Sequence, residues 1–304
     1  MPSIFWTFIL LGLFLDTGIS LFLNIYIVIA AAKNIGNGVK VSPPDVIHLV
    51  MGLVDLVLQC SLTVQSLLFD LYAPTLFMRK TYVPMTILNL SLIYFMSWLL
   101  AWLSAYYCTS IANFTHRLFL WSKRTISSTL WLLLLLSAVE SFIIGISSIW
   151  SLNVEIEVSS PDNSTGEVFF VKGTFYFSLL HVQIATVLGS FLPFILTLLS
   201  ILLTFSSLIR HMSRIKKKYS GITQQAHING IRRISLLLLL SAVFCVTQLM
   251  YFSGRSSTSL DALNIISWLL ITVFPAANAI IIIQASSKIK KAFVKIFCFG
   301  KHGR

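Results

Sequence analysis

Four aromatic side chains recur at every fourth position of one apolar stretch: Tyr94, Trp98, Trp102 and Tyr106. In a helix, this spacing places them in one stripe along a single face. Tyrosine and tryptophan offer a small molecule broad apolar contact together with a hydrogen-bonding atom. The stripe therefore predicts a ligand-binding site among packed helices. Packing alone, or contact of these rings with lipid, is the alternative interpretation.

Three acidic residues, Asp16, Asp55 and Glu140, lie within apolar stretches that contain no lysine or arginine. Each carboxyl group must therefore be protonated, hydrated or bound to a cation. Such acids raise the hypothesis of a proton-coupled transporter. The alternatives are a protonated carboxyl group bonded to a neighbouring helix and, for Glu140 alone, contact with a cationic ligand.

The elements that carry these residues follow from the composition. The chain has 304 residues, of which 57% are hydrophobic and 11% are charged, and a mean hydropathy of +0.88. A soluble core of this length could not bury so much apolar surface, so we predict an all-α integral membrane protein. Seven apolar stretches are long enough to cross a bilayer, which predicts one seven-transmembrane domain over residues 1–304. They cover residues 4–32, 46–69, 85–112, 129–150, 175–209, 234–252 and 262–284.

The basic residues predict the orientation of this helix bundle. Eighteen of the 22 lysines and arginines fall on one side of the seven stretches, including those of the tail over residues 288–304. By the positive-inside rule, the N-terminus lies outside and the C-terminus is cytoplasmic. We expect a multi-pass protein of the plasma membrane. Its second outer loop, residues 151–174, carries the sequon that begins at Asn163, where we predict a glycan.

The sequence offers no case for an enzyme. It has no nucleophile elbow, no His-Glu-x-x-His and no glycine-rich phosphate loop, and its six histidines lack metal-ligand spacing. We therefore predict neither a cofactor nor a metal. The basic charge is explained by membrane topology, so nucleic acid is not an expected partner. Among membrane proteins, the odd helix count and the lack of an inverted repeat argue against a transporter.

The segment from Trp98 to Ile126, WLLAWLSAYYCTSIANFTHRLFLWSKRTI, resembles the helix-three and loop signature of vertebrate bitter taste receptors, the type 2 taste receptors. Matching residues are Trp98, Leu103, Ser104, Tyr107, Ile111, Ala112, Asn113, Phe114, His116, Lys123 and Ile126. Further matches along the chain are Asn24, Pro193, Ser207, Leu208, His211, Ala226, His227, Pro275, Lys288 and Lys290. Asp55 lies in helix two, where the family's arginine is not recognisable, while Asn278 and Ala279 replace a His-Ser pair in helix seven. These departures indicate a divergent, non-mammalian member.

The resemblance implies a G-protein-coupled receptor with a ligand pocket in the outer half of the bundle. Trp98 and Trp102 line that pocket by resemblance, and Tyr94 and Leu99 of the same helix are assigned to it with them. Gln183 and Gln248 need either partners inside the bundle or a ligand, and interhelical hydrogen bonding is an equal alternative for both. Asn264 and Trp268 of helix seven are expected across the cavity.

The partners that the resemblance implies are small bitter agonists and a heterotrimeric G protein with a Gi/gustducin-like alpha subunit. Basic and histidine side chains at the cytoplasmic ends of the helices are expected to face that subunit, with contact to membrane lipids as the alternative. They are His116, Arg117, His211, Arg214, Lys216, Lys218, His227, Lys288 and Lys290. A vomeronasal type 1-like pheromone receptor is the nearest alternative function, and an oligomeric state stays open.

Overall fold

The fold is described from a computed structural model that covers residues 2–36, 42–71, 79–111, 117–158, 171–215, 235–250 and 261–286, with residues 289, 290, 293 and 294. Side chains are described within 10–36, 42–68, 80–110, 129–152, 177–207, 235–250 and 265–284, and at 209, 286 and those last four positions. The chain is almost entirely helical over these residues, as predicted. It forms an integral membrane bundle of α-helices.

Seven helices follow one another along the described chain. Their bounds are α1 Pro2–Gly36, α2 Pro43–Leu71, α3 Arg79–Ile111, α4 Arg117–Ser151, α5 Leu179–Ile184 continued through Ala185–Phe191 and Leu192–Ile215, α6 Ser235–Met250 and α7 Asp261–Ala285. Six are long and apolar enough to cross a membrane, and α6 is shorter. In a bilayer, helices satisfy every backbone hydrogen bond internally, which is why such apolar segments adopt this form.

Helix α3 lies at the centre of the bundle. It packs against α2, α4 and α5, while α1 packs against α2 and α7. Helix α6 joins α7 through the stacked rings of Phe244 and Phe274, whose centroids are 3.9 Å apart. Large apolar side chains such as Phe14 and Leu15 of α1 and Leu135 of α4 are exposed on the bundle surface. Such a surface suits lipid rather than water.

Glycines allow the closest approaches between helices. A Cβ atom at Gly145 of α4 would lie 2.1 Å from the Ser91 Oγ and 2.9 Å from the Ile87 carbonyl oxygen of α3. At Gly52 of α2 it would lie 2.9 Å from a methyl group of Val28 in α1. Small residues permit this contact in membranes, where packing rather than the hydrophobic effect drives helix association.

The predicted outer loop between α4 and α5 contains a pair of strands that the sequence analysis did not foresee. Strand β1, Leu152–Val158, pairs antiparallel with β2, Val171–Phe177. The end pair, Leu152 and Phe177, is buried in the bundle core. The Ser178 N–H also donates to the Ser151 carbonyl at 2.8 Å, so the hairpin continues directly from the two helices. Asn163 lies outside the described residues.

Helix ends differ from the predicted stretches because hydropathy marks only the apolar part of a helix. Helix α4 begins at Arg117 and includes much of the predicted loop before residue 129. Helix α3 begins at Arg79, before the predicted start at residue 85, and contains Pro84. The predicted fifth helix was wrong at its start, since Phe175 belongs to β2 and α5 begins at Leu179.

Helix α5 is not regular along its length. Residues Ala185–Phe191 form a π-helical segment between two α-helical parts. A π-helical turn takes in more residues than an α-helical turn, and such segments occur often at functional sites. This one carries Gly189 and Ser190, both of which contact other helices in the site described next.

Candidate functional site

Two residues of the aromatic stripe of α3, Trp98 and Trp102, lie beside α4. Trp98 stacks on Trp102, with ring centroids 5.7 Å apart and an angle of 21° between the planes. The Trp102 indole N–H donates a hydrogen bond of 2.9 Å to the Ser137 Oγ of α4. Trp102 is therefore held by the neighbouring helix, and its polar atom is used in the fold.

Trp98 differs from Trp102 because its indole N–H remains available. This Nε1 atom is buried and makes no hydrogen bond within the part of the chain that the structure describes. The Glu140 carboxyl group of α4 lies near enough to interact with it, although not in hydrogen-bonding geometry. A ring face, an unpaired donor and a carboxyl group thus meet between α3 and α4, which is a suitable combination for a polar or cationic small molecule.

Tyr94 lies one turn from Trp98 and packs on α5. Its side chain is fully buried, and a Cβ atom at Gly189 of the π-helical segment would approach its ring to 2.4 Å. Leu99 is also fully buried and belongs to the bundle core. Both residues are therefore packed inside the bundle.

A polar contact joins α3, α5 and α6 at the same level. Gln248 of α6 is buried, accepts a hydrogen bond from the Ser190 Oγ and donates one of 3.4 Å to the Ser97 Oγ. Gln248 thus makes the interhelical hydrogen bonds that the sequence analysis gave as the alternative to ligand contact. Ser97 and Ser190 were missed, because a serine in an apolar stretch is an unspecific signal.

The remaining predicted pocket residues differ in how far their side chains are buried or described. Gln183 is exposed, so the expectation that it faces partners inside the bundle was wrong. In this part of α5, His181 and Ala185 are the buried residues that face the bundle. Gln183 comes two positions after His181, and because each residue turns the helix by about 100°, its side chain points to the opposite side. Trp268 is half-buried on α7. The side chain of Asn264 lies outside the described residues.

The observed bounds of α3 place Trp98 nineteen positions after Arg79 and thirteen before Ile111. The expected outer-half position of Trp98 in the bilayer stays a prediction.

His181 is a further polar side chain of the site that the sequence analysis did not select. Its Nδ1 atom is hydrogen-bonded to the Ser147 Oγ of α4 at 2.9 Å, and its ring stacks on Phe177 with centroids 5.2 Å apart. Its Nε2 atom is buried without a partner among the described residues. Ser147 lies two helical turns after Glu140 on the same face of α4. This spacing could have indicated that Ser147 also contacts a polar side chain, which in the structure is His181.

At the other end of the bundle, the chain after α7 is fixed to α1. The Tyr26 hydroxyl donates a hydrogen bond of 2.8 Å to the Ile289 carbonyl, and the Tyr26 ring meets Phe293 edge to face with centroids 5.0 Å apart. Lys290, in this segment, is exposed. It is the one residue predicted to face a G protein whose side chain is described. For Arg117, His211 and Arg214 only the helical backbone is described, and His116, Lys216, Lys218, His227 and Lys288 lie outside the described residues.

The family model for the taste receptor protein (TAS2R) matches residues 1–301 of this chain. The chain belongs to the TAS2R taste receptor family. This family is one of receptors rather than enzymes, and it is the family suggested by the segment that begins at Trp98.

Individual TAS2R receptors are similar over a large part of the chain. Taste receptor type 2 member 9 of Homo sapiens is 30% identical over 210 residues, which are 67% of this chain and 65% of that receptor. The same protein of Pan troglodytes has the same identity and coverage. Taste receptor type 2 member 50 of Homo sapiens is 28% identical over 211 residues, covering 67% and 68% of the two chains. The match to the member 9 receptors thus spans slightly less than two thirds of their length.

Proposed function

We propose that this chain is a G-protein-coupled receptor of the plasma membrane that detects small bitter-tasting molecules. The observation that carries the proposal is the family match over residues 1–301. The names of the similar proteins agree with it, since they are taste receptors. We place the ligand beside Trp98, where the indole N–H has no partner among the described residues.

The proposed partner is a heterotrimeric G protein of the Gi/gustducin kind. Ligand would favour a helix arrangement that opens the cytoplasmic end of the bundle and admits the C-terminal helix of the Gα subunit. Lys290 supports a binding surface for the G protein at the end of the bundle where α7 finishes. Its side chain is exposed, and the hydrogen bond from Tyr26 to Ile289 fixes the neighbouring backbone to α1, which keeps the positive charge at this end. The other basic residues named above are assigned to the same surface.

Calcium release in cultured cells tests the proposed function. The chain is co-expressed with a promiscuous Gα chimera that ends in the gustducin tail, and the cells are exposed to a panel of structurally varied bitter compounds. We expect a dose-dependent response that is lost with the parent Gα lacking that tail. No response from surface-exposed receptor would contradict the proposal.

Substitution of Glu140 tests the chemistry of the ligand. The Glu140 carboxyl group interacts with Trp98. A cationic ligand bound beside it would favour the ionised carboxylate and pair with its negative charge. Glu140→Gln is therefore expected to raise the half-maximal concentration of amine agonists about tenfold and to leave neutral agonists unchanged, because only the former lose a charge partner. Asp16→Asn, which changes an acid between α1 and α2, is the matched control. Equal effects on both agonist classes would argue against charge recognition by Glu140.

A glycan at Asn163 tests the proposed orientation. Asn163→Gln is expected to abolish a mobility shift on treatment with deglycosidase, because the N-out topology places this sequon outside. Asn113 begins a second sequon, Asn113-Phe114-Thr115, in a loop that the same topology places on the cytoplasmic side. Asn113→Gln is therefore the control and should leave the shift intact. A shift that depends on Asn113 would reverse the topology.

A further inference from the structure

A polar cluster joins α1 and α2 inside the membrane. It consists of Asp16 and Thr17 of α1 together with Gln59 and Thr63 of α2. Gln59 has no exposed surface, whereas the other three side chains are half-buried. Gln59 comes nine positions before Leu68, where the second apolar span ends, so the cluster lies well within the apolar layer.

The hydrogen bonds of this cluster use its side-chain donors. The Gln59 Nε2 donates to the Thr17 Oγ1 at 3.1 Å and to the Asp16 Oδ2 at 3.4 Å. The Thr63 hydroxyl donates to the Gln59 carbonyl of its own helix at 2.7 Å. Thr17 is therefore the donor in the bond of 3.0 Å that joins its hydroxyl to the Thr63 Oγ1. With Asp16 ionised, the four side chains have no donor left.

Two acceptors of the cluster remain unfilled. The Gln59 Oε1 is buried and accepts no hydrogen bond from any described residue. The Asp16 carboxyl group receives one long bond, from Gln59, within the part of the chain that the structure describes. A buried acceptor away from water needs a donor, and a carboxylate inside a membrane needs a positive charge. The cluster therefore suits a ligand that donates hydrogen bonds and is positively charged.

Asp16 lies at the border between the packed side and the lipid-facing side of α1. Gly12, Leu15 and Ile19, which adjoin it on the outer side of that helix, are all exposed. A Cβ atom at Gly12, one turn before Asp16, would meet nothing within 4 Å, so space is open beside the carboxyl group. A ligand reaches this opening through lipid. It must therefore carry an apolar body, which a hydrated metal ion lacks.

We propose that Asp16 and Gln59 bind a lipophilic amine, in its protonated form, that enters from the bilayer at the packing of α1 on α2. The ammonium group pairs with the Asp16 carboxylate and donates to the Gln59 Oε1. Its apolar body lies against the exposed side chains of α1. The positive and negative charges then offset each other within the apolar layer.

This amine site is separate from the ligand site beside Trp98. Trp98 lies between α3 and α4, whereas α1 packs against α2 and α7. An amine at Asp16 adds a contact where α1 packs on α2, so its expected effect is on the stability of the bundle. The potency of agonists that bind beside Trp98 should be unchanged in Asp16→Asn.

Thermal unfolding of the purified full chain in phosphatidylcholine nanodiscs tests the proposal. Dodecylamine is the probe. Dodecanol, which lacks the charge, and dodecyltrimethylammonium, which lacks an N–H donor, are controls with the same chain length. A ligand that binds only the folded state raises the unfolding midpoint, and at about tenfold excess over its dissociation constant we expect dodecylamine to raise it by roughly 3 °C. The two controls should raise it much less.

Substitutions locate the effect. The rise should disappear in Asp16→Asn, which removes the charge partner, and persist in Asp55→Asn, the matched control for loss of an acid within the apolar spans. Gly12→Leu fills the open space without changing a polar group, so it should also abolish the rise. Gly18→Leu is its control, because Gly18 is equally open but comes two positions after Asp16, on the other side of the helix.

Three results would overturn the proposal. Equal midpoints with and without dodecylamine would mean that a proton satisfies Asp16. Equal rises with dodecylamine and dodecanol would mean that the probe acts by partitioning into the bilayer. A rise of unchanged size in Asp16→Asn or in Gly12→Leu would place the amine elsewhere. Should Asp16→Asn fail to fold, the comparison of Gly12→Leu with Gly18→Leu still decides, since both variants retain the acid.

Discussion

Trp98→Ala is expected to raise the half-maximal agonist concentration about 30-fold or to abolish the response. Truncation of a tryptophan at a binding hot spot costs about 2 kcal/mol or more, which corresponds to this factor. In this chain the change removes both the ring face stacked on Trp102 and the buried indole N–H that has no partner among the described residues. Calcium release across the full agonist titration, normalised to receptor at the cell surface, measures the effect.

Controls separate ligand contact from loss of packing. Trp131→Ala removes a tryptophan of α4 whose side chain is 68% exposed on the bundle surface, and we expect it to respond like the unaltered receptor. Trp98→Phe keeps an aromatic ring beside Trp102 but removes the N–H donor. Agonists that accept a hydrogen bond should lose more potency in Trp98→Phe than purely apolar agonists do. Full potency of Trp98→Ala at normal surface expression would remove Trp98 from the pocket.

Gly145→Ala is expected to destabilise the bundle by about 1–3 kcal/mol, the range for overpacking a close contact. The new methyl group would lie 2.9 Å from the Ile87 carbonyl oxygen, which is backbone and cannot rotate away. Helices α3 and α4 must therefore separate, which also weakens the bond from Trp102 to Ser137. The unfolding midpoint of the purified protein and the fraction that reaches the cell surface should both fall.

Gly18→Ala is the matched control for that substitution. Gly18 also lies inside a membrane helix, yet a Cβ atom there would meet nothing within 4 Å. The change should be neutral or slightly stabilising, because alanine has the higher helix propensity. If Gly145→Ala were as stable as Gly18→Ala, the close packing of α3 on α4 would not contribute to stability.

The helical class and the main crossings were predictable because long apolar stretches leave the chain few alternatives. The ends of the helices were harder to predict, because a helix can continue into polar residues beyond its apolar part. Helix α4, for example, begins at Arg117, well before its apolar stretch. The strand pair was missed, although the alternation in LNVEIEV fits a strand. Periodicity predicted one aromatic face on α3, but it could not show that Trp98 and Trp102 lie beside α4 while Tyr94 packs on α5.

Polar side chains show where sequence reasoning reaches its limit. Gln183 and Gln248 looked alike in sequence, yet one is exposed and the other bonds to two helices. Their difference depends on the rotation of each helix, which the sequence of one chain does not state. Likewise, Asp55 was noted as an acid in an apolar stretch and as a departure from the family pattern, and Asn278 as a second departure. Their direct bond shows that the two departures belong to one contact between α2 and α7.

The π-helical segment of α5 lies between two α-helical parts. It changes the rotation of one part about the helix axis relative to the other. One part turns His181 toward α4, and the other turns Thr197 and Thr204 into the bundle. Deleting one residue within Ala185–Phe191 would let regular α-helical bonding run through, which turns one part by about 100° relative to the other. The hydrogen-bonding pattern of these seven residues therefore sets which side of α5 faces α4 at the His181 end, independently of the sequence beyond Leu192.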